Sequence, residues 1–137
     1  MESYYFLQKL TVSIFKDVRG NLGVSDLGQP PIMDVRRLYY ISEVPEDGIR
    51  GSHGHKSLNQ IFYCLKGAFT LEVTDGTNSD VVDVTEFGEA YFVPAGLWRK
   101  LTNFRQDCVC LVLASDQYKE TDYIYDFDEF KAWKSQQ

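Results

Sequence analysis

The segment RGSHGHK, residues 50–56, contains both histidines of the chain. Side chains two residues apart in a β-strand project from the same face, so His53 and His55 point into one space if this segment is a strand. Gly51 and Gly54 leave that space uncrowded. Two aligned histidines between an arginine and a lysine favour a functional site, for a metal or for acid–base chemistry, over a pair of core residues.

The stretches around this segment predict an all-β fold. Short runs of β-branched and aromatic residues alternate with turns rich in Gly, Pro, Asn and Asp, which is typical of a sandwich or barrel. Phe127, Phe130 and Trp133 recur at three-residue spacing and predict one short helix between Asp126 and Lys134. The predicted strands are Phe6–Phe15, Asn21–Ser25, Asp34–Ile41, Gln60–Leu65, Ala68–Thr74, Val81–Val84, Ala90–Val93, Leu97–Asn103 and Cys108–Leu113.

Composition and charge limit the classes of partner. With 137 residues, 44% hydrophobic and 25% charged, the chain fits one globular domain over residues 1–137. The net charge of −6 disfavours nucleic acid and anionic membrane surfaces. No apolar run approaches the roughly 18 residues of a membrane span.

The cysteines indicate a reducing compartment. Their number, three, is odd, and no signal-like segment opens the chain, so we expect a cytoplasmic protein. Cys108 and Cys110 alternate around Val109 and are predicted to be small buried residues on one face of a strand.

The histidine segment is the start of a longer pattern. Its spacing resembles the two motifs of the cupin superfamily, which supply His-x-His and a Glu, and then a further His. The resemblance implies a cupin-type β-barrel (jelly roll). The positions that match are His53, His55, Gln60 and Gly67 in the first motif, and Gly88, Pro94-Ala95-Gly96, Arg99 and Asn103 in the second.

Two departures from the cupin pattern bear on metal binding. Gln60 stands where the motif has Glu, and Arg99 stands where it has His. A neutral amide and a permanent cation are poor replacements for a carboxylate and an imidazole as metal ligands. We therefore expect no bound metal and no cofactor, with His53 and His55 titrating near neutral pH as general acid and base.

Further segments narrow the resemblance to the dTDP-4-keto-6-deoxyglucose 3,4-ketoisomerases. They extend over almost the whole chain: Asp17–Gly20, Arg36–Ile41, Arg50–Lys56, Val112–Asp116 and Glu120–Ile124. The resemblance implies a metal-independent isomerase that moves a ketone from C4 to C3 of a dTDP-linked hexose, in the biosynthesis of deoxy and amino sugars. It also implies a homodimer, in which the N-terminal strand Tyr4–Leu10 either is exchanged between subunits or pairs within its own chain.

The resemblance assigns roles to individual residues. His53 is the expected base and proton shuttle, His55 its neighbour for proton relay, and Tyr39 a donor to the enediolate. The expected substrate-binding residues are Arg19, Arg37, Arg50, Trp98 and Arg99. Members of this family carry either Arg or His at the position of Arg99, so the stereochemistry at C4 of the product stays open.

Three other interpretations remain. A dTDP-sugar 3,5-epimerase also removes a proton beside the 4-keto group, but its usual pattern of a histidine paired with a distant aspartate, facing a tyrosine, is not found in the sequence. A sugar-nucleotide-binding cupin would keep the pocket without turnover. A metal-dependent cupin enzyme is disfavoured by Gln60 and Arg99.

Overall fold

A computed structural model describes residues 3–137, and within that range the chain forms ten β-strands and one α-helix. The strands are β1 Gln8–Leu10, β2 Ser13–Asp17, β3 Gly20–Val24, β4 Arg37–Ile41, β5 Arg50–His55, β6 Gln60–Thr74, β7 Ser79–Thr85, β8 Ala90–Val93, β9 Trp98–Ala114 and β10 Tyr123–Ile124, and the helix α1 is Phe127–Lys134. The predicted all-β class with a short C-terminal helix is confirmed.

The long strands β6 and β9 run through the centre of an eight-stranded sheet. Residues 60–62 of β6 pair with β8, whereas residues 68–74 pair with β7. Residues 98–101 of β9 pair with β5, and residues 110–114 pair with β4. The sheet therefore has two halves that share these strands, β4-β9-β6-β8-β1 and β10-β5-β9-β6-β7.

Bulges separate the two halves. The register of β6 against β9 shifts between Cys64 and Thr70. Where the register shifts, Gly67, Gln106 and Asp107 have positive φ angles of 72°, 59° and 56°. Since bulges bend a strand and increase its twist, each long strand passes from one half to the other without a chain-reversing turn.

The inner faces of the halves meet in the main core. It contains Phe62 and Val112 from one half, Leu71 and Leu101 from the other, and Tyr39 packs against it. A smaller cluster around Ile61 lies on the outer face of the first half, under the segment that follows β1. Cys108 and Cys110 are buried as predicted.

The strand boundaries differ from the predicted ones where bulges occur. The predicted pair Gln60–Leu65 and Ala68–Thr74 is one strand, and so is the pair Leu97–Asn103 and Cys108–Leu113. The predicted strand Phe6–Phe15 is two strands, with a break at residues 11–12. Gly67 carries the same sequence signal in a bulge as in a turn, so the first pair cannot be recognised as one strand from the sequence.

Both ends of the described chain are held by specific contacts. Asp80, buried, accepts backbone N–H bonds from Tyr5, Phe6 and Leu7, and β1 pairs with β8 of the same chain. At the other end, the Asp126 side chain caps α1 by accepting from the Glu129 N–H (2.9 Å). Within the described residues α1 is the one α-helix, and at eight residues it is too short to cross a bilayer.

The helix docks through Phe130, which is fully buried and meets Trp98 with ring centroids 5.8 Å apart. A Cβ at Gly54 would lie 2.7 Å from the Phe130 ring, so this position of β5 needs glycine for the helix to approach. The aromatic stripe therefore serves packing against β5 and β9.

We expect Phe130→Ala to lower the free energy of unfolding by about 3 kcal/mol, because it leaves a cavity under α1. Phe127→Ala is the matched control on the same helix. Phe127 is 37% exposed, so the loss there is expected to be under about 1 kcal/mol. Urea unfolding of both variants measures the difference, and equal losses would contradict this account of docking.

Candidate active site

A cavity of about 210 Å³ opens between the two halves of the sheet. It brings together five of the residues for which the sequence predicts a catalytic or binding role. His55 lies behind His53, with the two ring centroids 4.9 Å apart. The lining residues are Arg37, Tyr39, Ile41, Arg50, Gly51, His53, Arg99 and Tyr123.

The two histidines project from the same face of β5, as their spacing predicts. Their ring centroids are 4.9 Å apart in an edge arrangement. Behind them, His55 Nδ1 lies 2.9 Å from Asp122 Oδ2, and the other Asp122 oxygen accepts bonds from Ser57 N and Oγ (2.7 Å each). Since ionised Asp122 can only accept, His55 carries its proton on Nδ1, and its Nε2 faces the Arg99 guanidinium at 3.4 Å.

Arg99 is buried between the halves, with 4% of its surface exposed. Its Nη2 donates to Tyr39 Oη (3.2 Å) and its Nη1 to the Gly51 carbonyl (3.4 Å). Gly51 has a φ of 68°, and a Cβ there would collide with the guanidinium. Position 51 therefore needs glycine, because the guanidinium of Arg99 occupies the space that a side chain would take.

The electrostatic surroundings keep both histidines neutral. Burial, the Arg99 charge and His55 lower the pKa of His53 from 6.5 to about 3. Burial and Arg99 lower the pKa of His55 to about 4, although Asp122 acts in the opposite direction. The expectation that they titrate near neutral pH is therefore wrong for the free protein, because the sequence showed neither how deeply the two rings would be buried nor that Arg99 would lie against them.

The pKa of Asp122 is held below its usual value. Burial raises it, but hydrogen bonds from Ser57 and His55 outweigh that effect. Asp122 is therefore ionised at neutral pH and keeps the His55 ring in one orientation.

The cavity offers hydrogen-bond donors in excess of acceptors. Within residues 3–137, Arg37, Arg50 and Arg99 form no ion pair with a carboxylate. Arg37 Nε, Arg99 Nε and His53 Nδ1 are buried without a hydrogen-bond partner in that range. Because buried polar groups are normally satisfied, the two guanidinium nitrogens, which can only donate, indicate a ligand rich in oxygen or negative charge.

The residues at the cupin metal positions do not fit a metal ion. Gln60 Nε2 and Arg99 Nη2 both donate to Tyr39 Oη, so these side chains are engaged with the phenol. A guanidinium cannot ligate a cation, which leaves two imidazoles. No group of three or more His, Cys, Asp or Glu side chains in the described part of the chain is arranged to hold a metal.

Two predicted substrate-binding residues lie outside the cavity. Trp98 is on the opposite face of β9 and contacts Phe127 and Phe130 of α1. Arg19 is at the tip of the β2–β3 hairpin, where its guanidinium pairs with Asp17 and 86% of the side chain is exposed. Within the chain, their expected contact with substrate is not supported.

Comparison with known proteins identifies the family. The family model described as FdtA: WxcM-like, C-terminal matches residues 6–135. The chain belongs to the FdtA family.

Relatives of this FdtA-family chain have named activities. It is 34% identical over 117 residues to the TDP-4-oxo-6-deoxy-α-D-glucose-3,4-oxoisomerase of Aneurinibacillus thermoaerophilus, covering 85% of this chain and 84% of the relative. Its fold matches a 3,4-ketoisomerase from Helicobacter canadensis with a TM-score of 0.86 and 31% identity, over 94% and 97% of the two chains. The resemblance to the sugar 3,4-ketoisomerases is confirmed.

A further solved structure shows a ligand. It is a histidine-to-asparagine mutant of the 3,4-ketoisomerase QdtA from Thermoanaerobacterium thermosaccharolyticum in complex with TDP-4-keto-6-deoxyglucose. The FdtA-family chain matches it with a TM-score of 0.83 and 27% identity, over 98% and 97% of the two chains.

Sequence reasoning missed three residues that line the cavity or lie behind it: Ser57, Asp122 and Tyr123. The pairing of Tyr123 with His55 between β10 and β5 brings the segment before α1 to the cavity. The sequence indicates the segment Glu120–Ile124 only through its resemblance to the family, because a two-residue strand has no periodicity to detect. His55 and Asp122 also form the histidine–aspartate pair that the sequence analysis could not find.

The low histidine pKa values predict a pH-dependent stability. Between pH 6.5 and the folded pKa values, the unfolded chain binds protons that the folded chain does not, so stability falls as the pH falls through this window. Each histidine contributes at most about 1.4 kcal/mol per pH unit to this change in the free energy of unfolding. Urea unfolding at pH 7 and pH 5 should therefore show a smaller loss for His53→Asn than for the parent. Equal losses would contradict the low pKa of His53.

Proposed function

We propose that this chain catalyses the 3,4-ketoisomerisation of dTDP-4-keto-6-deoxy-D-glucose to a dTDP-3-keto-6-deoxyhexose, without a metal or cofactor. The observation that carries the proposal is a neutral His53, with an unpartnered ring nitrogen, in a cavity lined by unpaired guanidinium groups. The family relatives named for this reaction support the same substrate class.

The reaction requires two proton movements. The hydrogen on C3 leaves as a proton and an enediol forms, and a proton then bonds to C4. The C4 carbonyl oxygen gains a proton and the C3 hydroxyl loses one. One proton thus moves from C3 to C4 and one from O3 to O4, with no net change of electrons.

His53 is the proposed base at carbon. It lines the cavity as a neutral imidazole, which is the form that can accept the C3 proton. Burial is the main cause of its low pKa, and Arg99 adds to the effect by disfavouring a second positive charge. A bound diphosphate and a developing enediolate add negative charge, which raises the pKa of the imidazole and favours proton transfer.

The guanidinium groups provide the electrostatic part of the mechanism. Arg99 and the Tyr39 hydroxyl are the proposed donors to the sugar oxygens where charge develops.

The cavity is smaller than the roughly 300–1,000 Å³ of most small-molecule pockets. We therefore propose that it takes the hexose, while the nucleotide lies outside and Arg37 and Arg50 contact the diphosphate or the sugar.

One observation favours the 3,5-epimerase alternative. His55 and Asp122 form a buried pair, the pattern expected for that reaction. In this structure, however, Asp122 acts on the histidine that lies behind His53, away from the cavity lining. Product analysis separates the two, because an epimerase leaves the ketone at C4.

His53→Asn should lower turnover at least about 10²-fold, since a general base contributes that much or more. The affinity for dTDP should stay within about tenfold of the parent, because asparagine keeps the size and polarity of the position. Turnover is followed by proton NMR with dTDP-4-keto-6-deoxyglucose, and dTDP binding by calorimetry. In D₂O the variant should leave substrate C3 unexchanged.

Two controls make that experiment decisive. Lys100→Gln changes an exposed lysine paired with Glu72 and is expected to retain parental turnover. Far-UV circular dichroism checks that His53→Asn is folded. A folded His53→Asn protein with near-parental turnover would remove His53 from the mechanism.

We further propose that the whole chain acts as one cytoplasmic domain that forms a homodimer. Exposed apolar side chains support the dimer: Leu38 and Tyr40 on β4 are 56% and 68% exposed, and Phe15 and Leu22 on the β2–β3 hairpin are each 60% exposed. Sedimentation equilibrium at micromolar concentration should give twice the chain mass of 15.8 kDa. Tyr40→Glu should weaken association, whereas Val81→Glu on β7 should not. A monomeric parent would contradict the proposal.

A further inference from the structure

The hydroxyl of Tyr39 accepts two hydrogen bonds. They come from Gln60 and Arg99, the two side chains that stand where the cupin pattern has metal ligands. Gln60 Nε2 donates over 2.8 Å and Arg99 Nη2 over 3.2 Å. A phenol oxygen has capacity for these two donors and one proton of its own to give. Because both acceptor positions are used and Tyr39 lines the cavity, the O–H proton is directed at the space where substrate binds.

The buried amide at position 60 is suited to this arrangement and a carboxylate is not. Gln60 has 1% of its surface exposed, so its donor has no water to exchange with. An ionised Glu at this position could only accept, and would take the Tyr39 proton for itself. It would also form a buried ion pair with Arg99, which would draw the guanidinium away from Tyr39.

We propose that Gln60 is a positioning residue that holds Tyr39 as the carrier of the proton between O3 and O4 of the sugar. This inference rests on the proposed ketoisomerase function. Tyr39 gives its proton to O4 as the C4 carbonyl becomes the enediol. The resulting phenolate accepts the O3 proton as the C3 carbonyl forms, which restores the phenol. His53 handles the proton at carbon, so each of the two proton movements has its own side chain.

The groups that shift the pKa of Tyr39 are consistent with this role. Burial raises the pKa of the phenol above its usual value, and the Arg99 charge and the Gln60 hydrogen bond offset part of that rise. Both donors favour the phenolate over the phenol. Loss of the Gln60 donor should therefore make the phenolate harder to form.

Three variants test the proposal through kinetics. Gln60→Met keeps the length but removes the donor, and should lower kcat at least about tenfold, or ~1.4 kcal/mol, with KM within about threefold. Gln60→Glu, assayed with a chelator, should lose at least as much. Gln60→Met in a Tyr39→Phe background should change kcat by less than about twofold, because residues that act as a unit are not additive. A full tenfold loss in that background would overturn the proposal.

A spectroscopic readout separates positioning from a general structural role. The protein is labelled with 3-fluorotyrosine, and Tyr39 is assigned by the ¹⁹F signal that Tyr39→Phe removes. The pKa of Tyr39 should be higher in Gln60→Met than in the parent. An unchanged pKa would overturn the proposal, whatever the variant does to thermal stability.

The same data distinguish failure of the inference from failure of the proposed function. If the parent does not isomerise dTDP-4-keto-6-deoxyglucose, the proposed function fails, and the role of Tyr39 in proton transfer fails with it. If the parent turns over and Gln60→Met matches its kcat, the ketoisomerase stands and the positioning role of Gln60 is overturned.

Discussion

The buried guanidinium of Arg99 determines how the rest of the site is arranged. A charge without a carboxylate partner is costly to bury, so every group around it must tolerate or use the charge. Gly51 has no side chain and presents its carbonyl, Tyr39 presents its oxygen, and the Phe62 ring lies 5.2 Å from the guanidinium carbon. Burial and the Arg99 charge together keep the two histidines neutral. Arg99 thus disfavours a metal ion at the cupin positions, adds to the effect of burial on the histidine pKa values, and keeps its Nε buried without a hydrogen-bond partner in the described part of the chain.

The architecture explains how these groups meet. Tyr39 and Gln60 belong to the half of the sheet formed by β4, β6 and β8, whereas the histidines and Arg99 belong to the half formed by β5 and β9. The two halves face each other because β6 and β9 continue through both and change partner at the bulges. The hydrogen bond from Arg99 to Tyr39 crosses this interface, and with the bond from Gln60 within the first half it fixes the phenol at the cavity wall.

The sequence predicted the parts of this picture that depend on spacing. The period of two placed His53 and His55 together, and the cupin spacing placed Gln60 and Arg99 beside them. It could not predict contacts that depend on how two faces meet, such as the bond from Arg99 to Tyr39. Asp122 was missed because β10 is very short, and Trp98 was misplaced because the side of β9 that faces α1 could not be decided from the sequence. The expected histidine pKa values were wrong for a similar reason, since they depend first on how deeply the two rings are buried and then on the nearby Arg99 charge.

The most direct test of the account is the position of the ketone after reaction. The protein, treated with a chelator, is mixed with dTDP-4-keto-6-deoxyglucose labelled with ¹³C at C4, and the labelled carbon is followed by NMR. The account predicts that its signal moves from the carbonyl region to that of a hydroxyl-bearing carbon, as the ketone moves to C3. A labelled carbon that stays a ketone, with or without exchange of the neighbouring hydrogens, would contradict it.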